Sequence, residues 1–302
     1  MIDKEQLFTD LNRGMTAERL GAFQRNLRKN LPLIRSSGGL RGLVDKCEGR
    51  IIVVAGAGPS LDENIGLLKK FQHRHEIYIV AADMALRPLV SAGIRPSCVF
   101  SCETSPVDFF GGIDTSGMHL AAFSCMSPST LRRWNGDVSF YNWMLEGPGY
   151  EQLWETAGKD LGFLATGSTV TTQAVAFSLG SGARSLVLVG NDMGFGSRFY
   201  ASGTVRGLSG LRTETRIATN LSQEYEIIRK RREYEIRRDE RIYFTDAQFL
   251  ASKLWLEELF SKNSTQVFDC SCPGCSGDFV TKTDLKSALS SLERKRRGKR
   301  TK

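Results

Sequence analysis

Short, wholly apolar runs alternate with stretches of helical spacing from about residue 50 onward. The first two runs, Ile51–Ala55 and Ile77–Ala82, consist of aliphatic residues and one tyrosine. A continuous apolar run of this length is typical of a parallel strand that is buried on both faces. Amphipathic stretches follow the two runs, at residues 62–71 and 84–92. This order predicts a βαβ unit at the start of an α/β domain.

The same alternation continues to about residue 280. It predicts further strands at residues 98–102, 120–123, 138–141, 185–189 and 266–268, helices at 168–179 and 246–260, and a hairpin within 234–244. Crossovers between parallel strands are nearly always right-handed. The sequence therefore predicts an α/β, Rossmann-like fold, with a mostly parallel sheet and helices on both faces. We divide the chain into a helical N-terminal extension (1–49), the Rossmann-like domain (50–280), and a C-terminal helix with a basic tail (281–302).

A glycine-rich turn joins the first strand to the first helix. We call residues 56–61, Gly56-Ala57-Gly58-Pro59-Ser60-Leu61, the glycine turn. Glycines let the backbone approach a ligand closely, and the helix that begins near Ser60 presents free N–H groups to phosphate. The turn has neither the third glycine of the dinucleotide fingerprint nor the lysine of a Walker loop. We predict that Gly56, Gly58, Pro59 and Ser60 bind a nucleotide; a purely structural turn is the alternative.

Polar residues also follow the next predicted strands. Asp83 follows the second strand and Glu103 ends the third, where acids of Rossmann-like folds accept hydrogen bonds from ribose hydroxyls. Residues 166–169, Thr166-Gly167-Ser168-Thr169, precede the helix at 168–179, and we call them the hydroxyl turn. Hydroxyls at a helix N-terminus form a second cradle for a phosphate or a base. We therefore predict binding by Asp83, Glu103, Gly167, Ser168 and Thr169; helix capping is the alternative for each turn.

Asn191 and Asp192 stand directly after the strand at 185–189. We predict that Asn191 binds the ligand and that Asp192 is the catalytic base that deprotonates an acceptor hydroxyl. With ATP as the donor, the acid would instead hold magnesium, and capping is the structural alternative. Residues 195–219, rich in Gly, Ser, Thr and Arg, predict a flap over the site. Arg198, Arg206, Arg212 and Arg216 are its candidates for stabilising departing phosphate charge.

Composition narrows the class of protein. No apolar run reaches the ~18–20 residues of a membrane span, and residues 1–27 lack a signal peptide's apolar segment, so we expect a cytoplasmic protein. Of the formal net charge of +8, residues 293–302 contribute +6 through seven basic residues and one acid. The remainder is +2, so we expect a solvated tail rather than a nucleic-acid-binding protein.

Seven cysteines, an odd number, do not predict a disulfide framework. Three of them lie in Cys270-Ser271-Cys272-Pro273-Gly274-Cys275. Structural zinc needs four ligands, and no second Cys or His pair stands near this segment. We therefore predict no metal site there.

Four motifs in order resemble one known family: the glycine turn, Asp83-Met84-Ala85-Leu86 with Gly93-Ile94-Arg95-Pro96 and Glu103, Thr166-Gly167-Ser168-Thr169-Val170, and Val189-Gly190-Asn191-Asp192-Met193. They are similar to the core shared by motility accessory factor (Maf) flagellin glycosyltransferases and MptE-like pterin diphosphokinases, over about residues 50–275. That core also looks like bacterial sialyltransferases, which carry a similar Gly-x-Gly-Pro-Ser-Leu turn and bind CMP-sugars.

The resemblance implies a bacterial, nucleotide-dependent transferase. Its first implication is a Maf-like glycosyltransferase that moves a nonulosonic, sialic-acid-like sugar from a CMP donor to a protein or glycan hydroxyl, with flagellin as a candidate acceptor. The alternative enzyme is a diphosphokinase that uses ATP and magnesium on a pterin-like alcohol. A non-catalytic motility assembly factor that keeps the fold is a third alternative.

Overall fold

The computed structural model describes residues 19–145, 149–204, 220–238 and 240–300. Its strands, numbered in chain order, are β1 Ile51–Ala55, β2 Ile77–Ala82, β3 Cys98–Ser101, β4 His119–Phe123, β5 Asp137–Trp143, β6 Phe163–Leu164, β7 Ser185–Val189, β8 Tyr234–Arg238, β9 Arg241–Thr245, β10 Gln266–Asp269 and β11 Val280–Lys282. Nine of these strands form one sheet in the order β11-β10-β7-β1-β2-β3-β4-β5-β6, and every neighbouring pair is parallel. Strands β8 and β9 form a separate antiparallel hairpin.

Helices pack around this sheet. They are α1 Leu20–Ser37, α2 Arg41–Cys47, α3 Leu61–Phe71, α4 Asp83–Ser91, α5 Pro128–Leu131, α6 Tyr150–Ala157, α7 Val170–Gly180, α8 Asn220–Arg231, α9 Ala247–Ser261 and α10 Leu285–Arg300, with a single 3₁₀ turn at Lys159–Leu161. Helix α7 contacts β1, β2 and β3, whereas α10 contacts α3 and β7. The predicted α/β, Rossmann-like architecture is confirmed. None of the helices described here is long and apolar enough to cross a membrane.

The order of the strands indicates where a ligand site is expected in this fold. From β1 the chain moves through β2 and β3 toward one edge of the sheet, and β7 later returns to the other side of β1. Ile51 pairs in register with Ile77 of β2 and with Ser185 of β7. The direction of winding therefore changes between β1 and β7, and ligands of such folds bind beyond the carboxyl ends of the strands at this change. The glycine turn follows β1, and Asn191 follows β7, at that position.

The helical lead-in shares the core of the sheet. Phe23 of α1 is fully buried, and its ring lies 5.4 Å from Phe123 and 5.6 Å from Trp143. The side chain of Asn30, also buried, donates hydrogen bonds to the carbonyl oxygens of Ser124 and Met126, at 3.0 and 2.9 Å. Helix α1 therefore covers the β4–β5 side of the sheet.

Several elements, including helices α5, α6 and α8, were not predicted from the sequence. Strands β6 and β11 were not predicted, because two or three residues at the edges of a sheet carry no readable period. The predicted C-terminal helix, α10, continues through the basic run as far as Arg300, and the solvation of that run stays a prediction. Lysine and arginine are good helix formers, so a basic composition does not end a helix.

Candidate functional site

The glycine turn packs directly against the end of β7. The N–H of Gly56 donates to the carbonyl of Val189 at 2.9 Å, and the N–H of Gly58 donates to that of Gly190 at 2.8 Å. A Cβ atom on Gly58 would lie 2.6 Å from the carboxylate of Asp192. We expected these glycines to let a phosphate approach the backbone. In the structure the side chain of Asp192 lies in the space that a Cβ atom on Gly58 would occupy. The role of Gly56 and Gly58 in nucleotide binding stays a prediction.

Asp192 occupies the N-terminus of helix α3. Its carboxylate accepts hydrogen bonds from the Ser60 N–H at 2.9 Å, from the Ser60 hydroxyl, and from the Cys272 N–H at 3.2 Å. Only 3% of the residue is exposed. Burial raises the pKa of Asp192 to about 7, although the bonds from Ser60 and Cys272 act in the opposite direction. A carboxyl group of the protein itself therefore lies where the sequence predicted a phosphate. The catalytic role of Asp192 stays a prediction.

Asn191 ties the two central strands together. Its side-chain amide donates to the carbonyl oxygens of Val54 at 2.7 Å and Val189 at 3.0 Å, and its backbone N–H donates to the Ser271 hydroxyl at 2.9 Å. The residue is 2% exposed, and its Oδ1 atom has no hydrogen-bond partner among the described residues. Asn191 therefore fixes the spacing of β1 and β7 at the point where the winding changes.

Helix α9 supports the hydroxyl turn. The Ser252 hydroxyl donates to the carbonyl of Gly167 at 2.5 Å, and the Gln248 amide donates to that of Ser168 at 2.8 Å. Gly167 lies against the indole of Trp255, where a Cβ atom would come within 2.7 Å of the ring. Ser168 has φ +78°, a left-handed conformation that costs a non-glycine residue free energy. The turn is therefore held in an unfavourable conformation by its neighbours.

The cap of helix α7 lacks the partners that the α3 terminus has. Thr169 is the N-cap residue with extended backbone, yet its side chain makes no capping hydrogen bond. Its Oγ1 atom is buried and has no hydrogen-bond partner within the described ranges. The first N–H groups of any helix have no acceptor inside that helix. Thr169 and the start of α7 therefore offer donors that an anionic ligand can use.

Asp83 and Glu103 lie close together beyond β2 and β3. Asp83, 5% exposed, accepts hydrogen bonds from the Ser101 hydroxyl at 2.7 Å and the Met84 N–H at 2.8 Å. Burial raises the pKa of Asp83 to about 7, and the charge of Glu103 raises it further. Glu103 is half-buried and accepts a hydrogen bond from the Ser105 N–H at 2.8 Å. The structure thus brings together the two acids that the sequence predicted at neighbouring strands.

Gln173, which the sequence-based predictions missed, links the end of β3 and strand β5 to the hydroxyl turn. Its amide group donates to the Thr166 hydroxyl at 3.1 Å and to the Cys102 sulfur at 3.4 Å. Its carbonyl oxygen accepts from the Tyr141 hydroxyl at 2.5 Å and from the Trp143 indole at 3.2 Å. The available signal was a glutamine inside a helix that is predominantly apolar after it, since buried polar groups need partners.

The described part of the predicted flap, residues 195–204, lies against the glycine turn. The Ala201 N–H donates to the carbonyl of Ala57 at 2.8 Å, and Arg198 forms an ion pair with Asp62 at 2.7 Å. Burial raises the pKa of Tyr200 to about 12, and the charges of Arg231, Asp246 and Asp83 also act on it. Arg206, Arg212 and Arg216, and residues 146–148 of the loop after β5, lie outside the described residues.

The cysteine-rich segment takes part in hydrogen bonds. The sulfur of Cys272 lies 3.0 Å from the Tyr243 hydroxyl, and Cys275 is fully buried. No group of three or more His, Cys, Asp or Glu residues that could hold a metal occurs in the parts of the chain that the structure describes.

A parallel sheet with crossover helices and a polar carboxyl edge defines a Rossmann-like α/β protein. The chain belongs to the MptE-like family: residues 25–198 match the model described as 6-hydroxymethylpterin diphosphokinase MptE-like. The fold is also similar to that of the Maf glycosyltransferase from Magnetospirillum magneticum AMB-1, with a TM-score of 0.56 and 17% identity. That similarity covers 80% of this chain but only 34% of the glycosyltransferase chain. A comparison with curated proteins gives no match.

Proposed function

We propose that this protein binds a nucleotide-activated donor in the crevice between the hydroxyl turn and the carboxyl ends of β1 to β3, and transfers a group from it. The observation that carries this proposal is the N-terminus of α7, where the buried Thr169 hydroxyl has no hydrogen-bond partner in the described part of the chain. Phosphate satisfies such donors and is attracted by the positive end of the helix dipole. We assign Asp83 and Glu103 to the ribose hydroxyls. These two acids lie on the other side of Gln173 from the hydroxyl turn.

The first candidate reaction is glycosyl transfer from a CMP donor of a nonulosonic sugar to a protein or glycan hydroxyl, with flagellin as a candidate acceptor. Its support is the shared fold of the Maf glycosyltransferase. In this reaction the departing nucleotide phosphate gains negative charge, which preorganised N–H donors stabilise more than they stabilise the bound donor. The use of a nucleotide donor is consistent with the cytoplasm as the compartment we expect.

Asp192 is the residue we assign as the base of this reaction. A pKa of about 7 leaves part of the molecules ionised at neutral pH, which suits a general base. Both carboxylate oxygens already accept hydrogen bonds, so the acceptor hydroxyl has to replace Cys272 or Ser60. We expect Asp192→Asn to lower turnover ~10²–10⁴-fold with little change in nucleotide affinity. Parallel loss of affinity would make Asp192 a ligand residue, and no change in either quantity would make it a cap.

A diphosphokinase that uses ATP and magnesium on a pterin-like alcohol is the second candidate, because the matching family model carries that description. Carboxylate oxygens are the ligands that magnesium prefers. Asp83 accepts hydrogen bonds from Ser101 and Met84, so the pair presents Glu103 more openly than Asp83. Magnesium held mainly by the phosphates of ATP fits this arrangement better than a cage made by the protein.

A thermal-shift screen separates the candidates. The protein is heated with CMP, CDP, UDP, ADP and ATP, each with and without magnesium. A ligand that binds only the native state raises stability by RT ln(1 + [L]/Kd), so weak ligands register at high concentration. Stabilisation by CMP without metal supports glycosyl transfer, and stabilisation by ATP with magnesium supports the diphosphokinase. No stabilisation by any nucleotide contradicts both, and supports a non-catalytic assembly factor.

A further inference from the structure

Residues 270–275, which we call the clamp loop, bind Asn191 and Asp192, which follow β7 after Gly190. The Ser271 hydroxyl accepts a hydrogen bond from the Asn191 N–H at 2.9 Å. The Cys272 N–H donates to the carboxylate of Asp192 at 3.2 Å, and the Gly274 N–H donates to its backbone carbonyl at 2.7 Å. Both the backbone and the side chain of Asp192 are therefore held from the same loop.

An ion pair organises the clamp loop in turn. Asp269, fully buried at the end of β10, accepts hydrogen bonds from the Ser271 N–H at 2.8 Å and the Cys275 N–H at 2.7 Å. The ammonium group of Lys282, from β11, donates to the Asp269 carboxylate at 2.9 Å. It also donates to the carbonyls of Ser271 at 2.6 Å and Pro273 at 2.8 Å. An ammonium group has three donors, so these three contacts use all of them.

Gly274 shows how tightly this centre is packed. It has φ +65°, and a Cβ atom there would collide with both the Asp269 carboxylate and the Lys282 ammonium. Side chains satisfy carbonyls of this irregular loop, since Lys282 donates to those of Ser271 and Pro273 and Arg238 also donates to that of Pro273, at 2.7 Å. An unbroken set of contacts thus leads from Lys282 through the clamp loop to Asp192 and on to Ser60 of the glycine turn.

We infer that Lys282 and Asp269 are positioning residues of the crevice: they fix the clamp loop, which holds Asp192 at the N-terminus of α3. The cysteine-rich segment thereby serves as a hydrogen-bonding brace between the last strands of the sheet and the glycine turn. Its effect on a ligand rests on the proposed function, because a turn that is already ordered binds a nucleotide without an ordering cost. The brace itself exists with or without a nucleotide.

Residue-specific hydrogen exchange of the full chain, without ligand, tests this assignment. Lys282→Met is compared with Lys286→Met, which removes an exposed lysine of α10. We expect the amides of Ser60, Cys272 and Gly274 to exchange about tenfold or more faster in Lys282→Met, since hydrogen bonds to a charged group are lost. The amides of β2 are expected to keep the wild-type rate, and Lys286→Met to match wild type throughout.

Equal acceleration at β2, or no acceleration at Ser60, overturns the inference, because a merely structural lysine would lower protection everywhere or only beside itself. If Lys282→Met does not fold, Gly274→Ala is measured, with the same three-site pattern expected for Ser60, Cys272 and residue 274. If neither variant folds, the two residues are needed by the whole fold and the local assignment is wrong. A failed nucleotide screen would refute the proposed function but leave this exchange pattern to be judged separately.

Discussion

The glycine turn and the hydroxyl turn occupy equivalent places, each between a strand and the N-terminus of a helix, but their hydrogen bonds differ. In the glycine turn the N–H groups of Gly56 and Gly58 bind carbonyls at the end of β7, and that of Ser60 binds Asp192. In the hydroxyl turn the Oγ1 atom of Thr169 is buried and has no hydrogen-bond partner among the described residues. The glycine turn, which is the more conspicuous of the two motifs in the sequence, thus has its N–H groups bonded by the protein itself, including the carboxyl group of Asp192. A helix N-terminus indicates an anion, and only the structure shows whether the protein supplies it.

The largest effect is expected from a substitution that disrupts the glycine turn. In Gly58→Ala the new methyl group meets the Asp192 carboxylate at 2.6 Å, so the free energy of unfolding should fall by about 3 kcal/mol even without a ligand. Gly66→Ala is the matched control, because no atom lies within 4 Å of its Cβ position, and alanine in a helix stabilises by up to about 1 kcal/mol. Denaturant unfolding measures both. Equal stability of Gly58→Ala and wild type would show that Asp192 does not close the turn.

Thr169→Val tests the other turn. The change removes an unpartnered hydroxyl, so stability should not fall, whereas nucleotide affinity should decrease by about 2 kcal/mol, or roughly thirtyfold. Thr172→Val is the control. The Thr172 hydroxyl accepts from the Gly167 N–H at 2.9 Å and donates to the Thr169 carbonyl at 2.6 Å, so its loss should lower stability. Titration calorimetry with the nucleotide found in the screen gives the affinities; an unchanged affinity in Thr169→Val contradicts the assignment of this turn.

The pH dependence of stability tests whether Asp192, the carboxyl group that the protein places at the glycine turn, has a raised pKa. Burial raises the pKa of Asp192 from 3.8 to about 7, so the native state binds a proton more tightly than the unfolded chain. The free energy of unfolding should therefore fall as pH rises from about 4 to 7, by at most about 1.4 kcal/mol per pH unit for this one group. Asp192→Asn should make that slope shallower, leaving the similar contribution of Asp83. An identical slope in the variant would show that Asp192 ionises normally.

The smallest expected effect concerns the end of α10. Deleting residues 294–302 should leave the affinity of both turns for nucleotide unchanged. Helix α10 starts after β11 at the carboxyl edge, and Glu293 pairs with Arg74, which precedes β2 at the opposite edge. Glu293, at which the basic run begins, therefore lies at the amino edge of the sheet, opposite the carboxyl ends of the strands. A truncated protein that stays folded, by circular dichroism, but no longer binds nucleotide would place the run in the site.

Most of the sheet could be predicted because its strands are apolar on both faces. Ile51–Ala55 is buried at every position, and such a run is readable without any partner. The carboxyl edge could be predicted as well, since parallel strands end together and Asp83, Glu103 and Asn191 each follow one. Which side chains contact each other at that edge could not be predicted. Asp192 meets Ser60 across 132 residues, and no local pattern encodes such a tertiary contact. Gln173 was missed for the same reason, because its four hydrogen-bond partners lie on β5, just after β3 and in the hydroxyl turn.

The contact between Trp255 and Gly167 also makes the hydroxyl turn observable by optical means. The half-buried indole lies directly against the turn, whereas Trp134, Trp143 and Trp154 are buried in the core on or beside the β4–β5 side of the sheet. Occupation of the turn changes the surroundings of this one chromophore, so ligand titrations can follow intrinsic fluorescence without a label. In Trp255→Phe that signal should vanish while the emission of the three core tryptophans remains, which assigns the response to a single place on the protein.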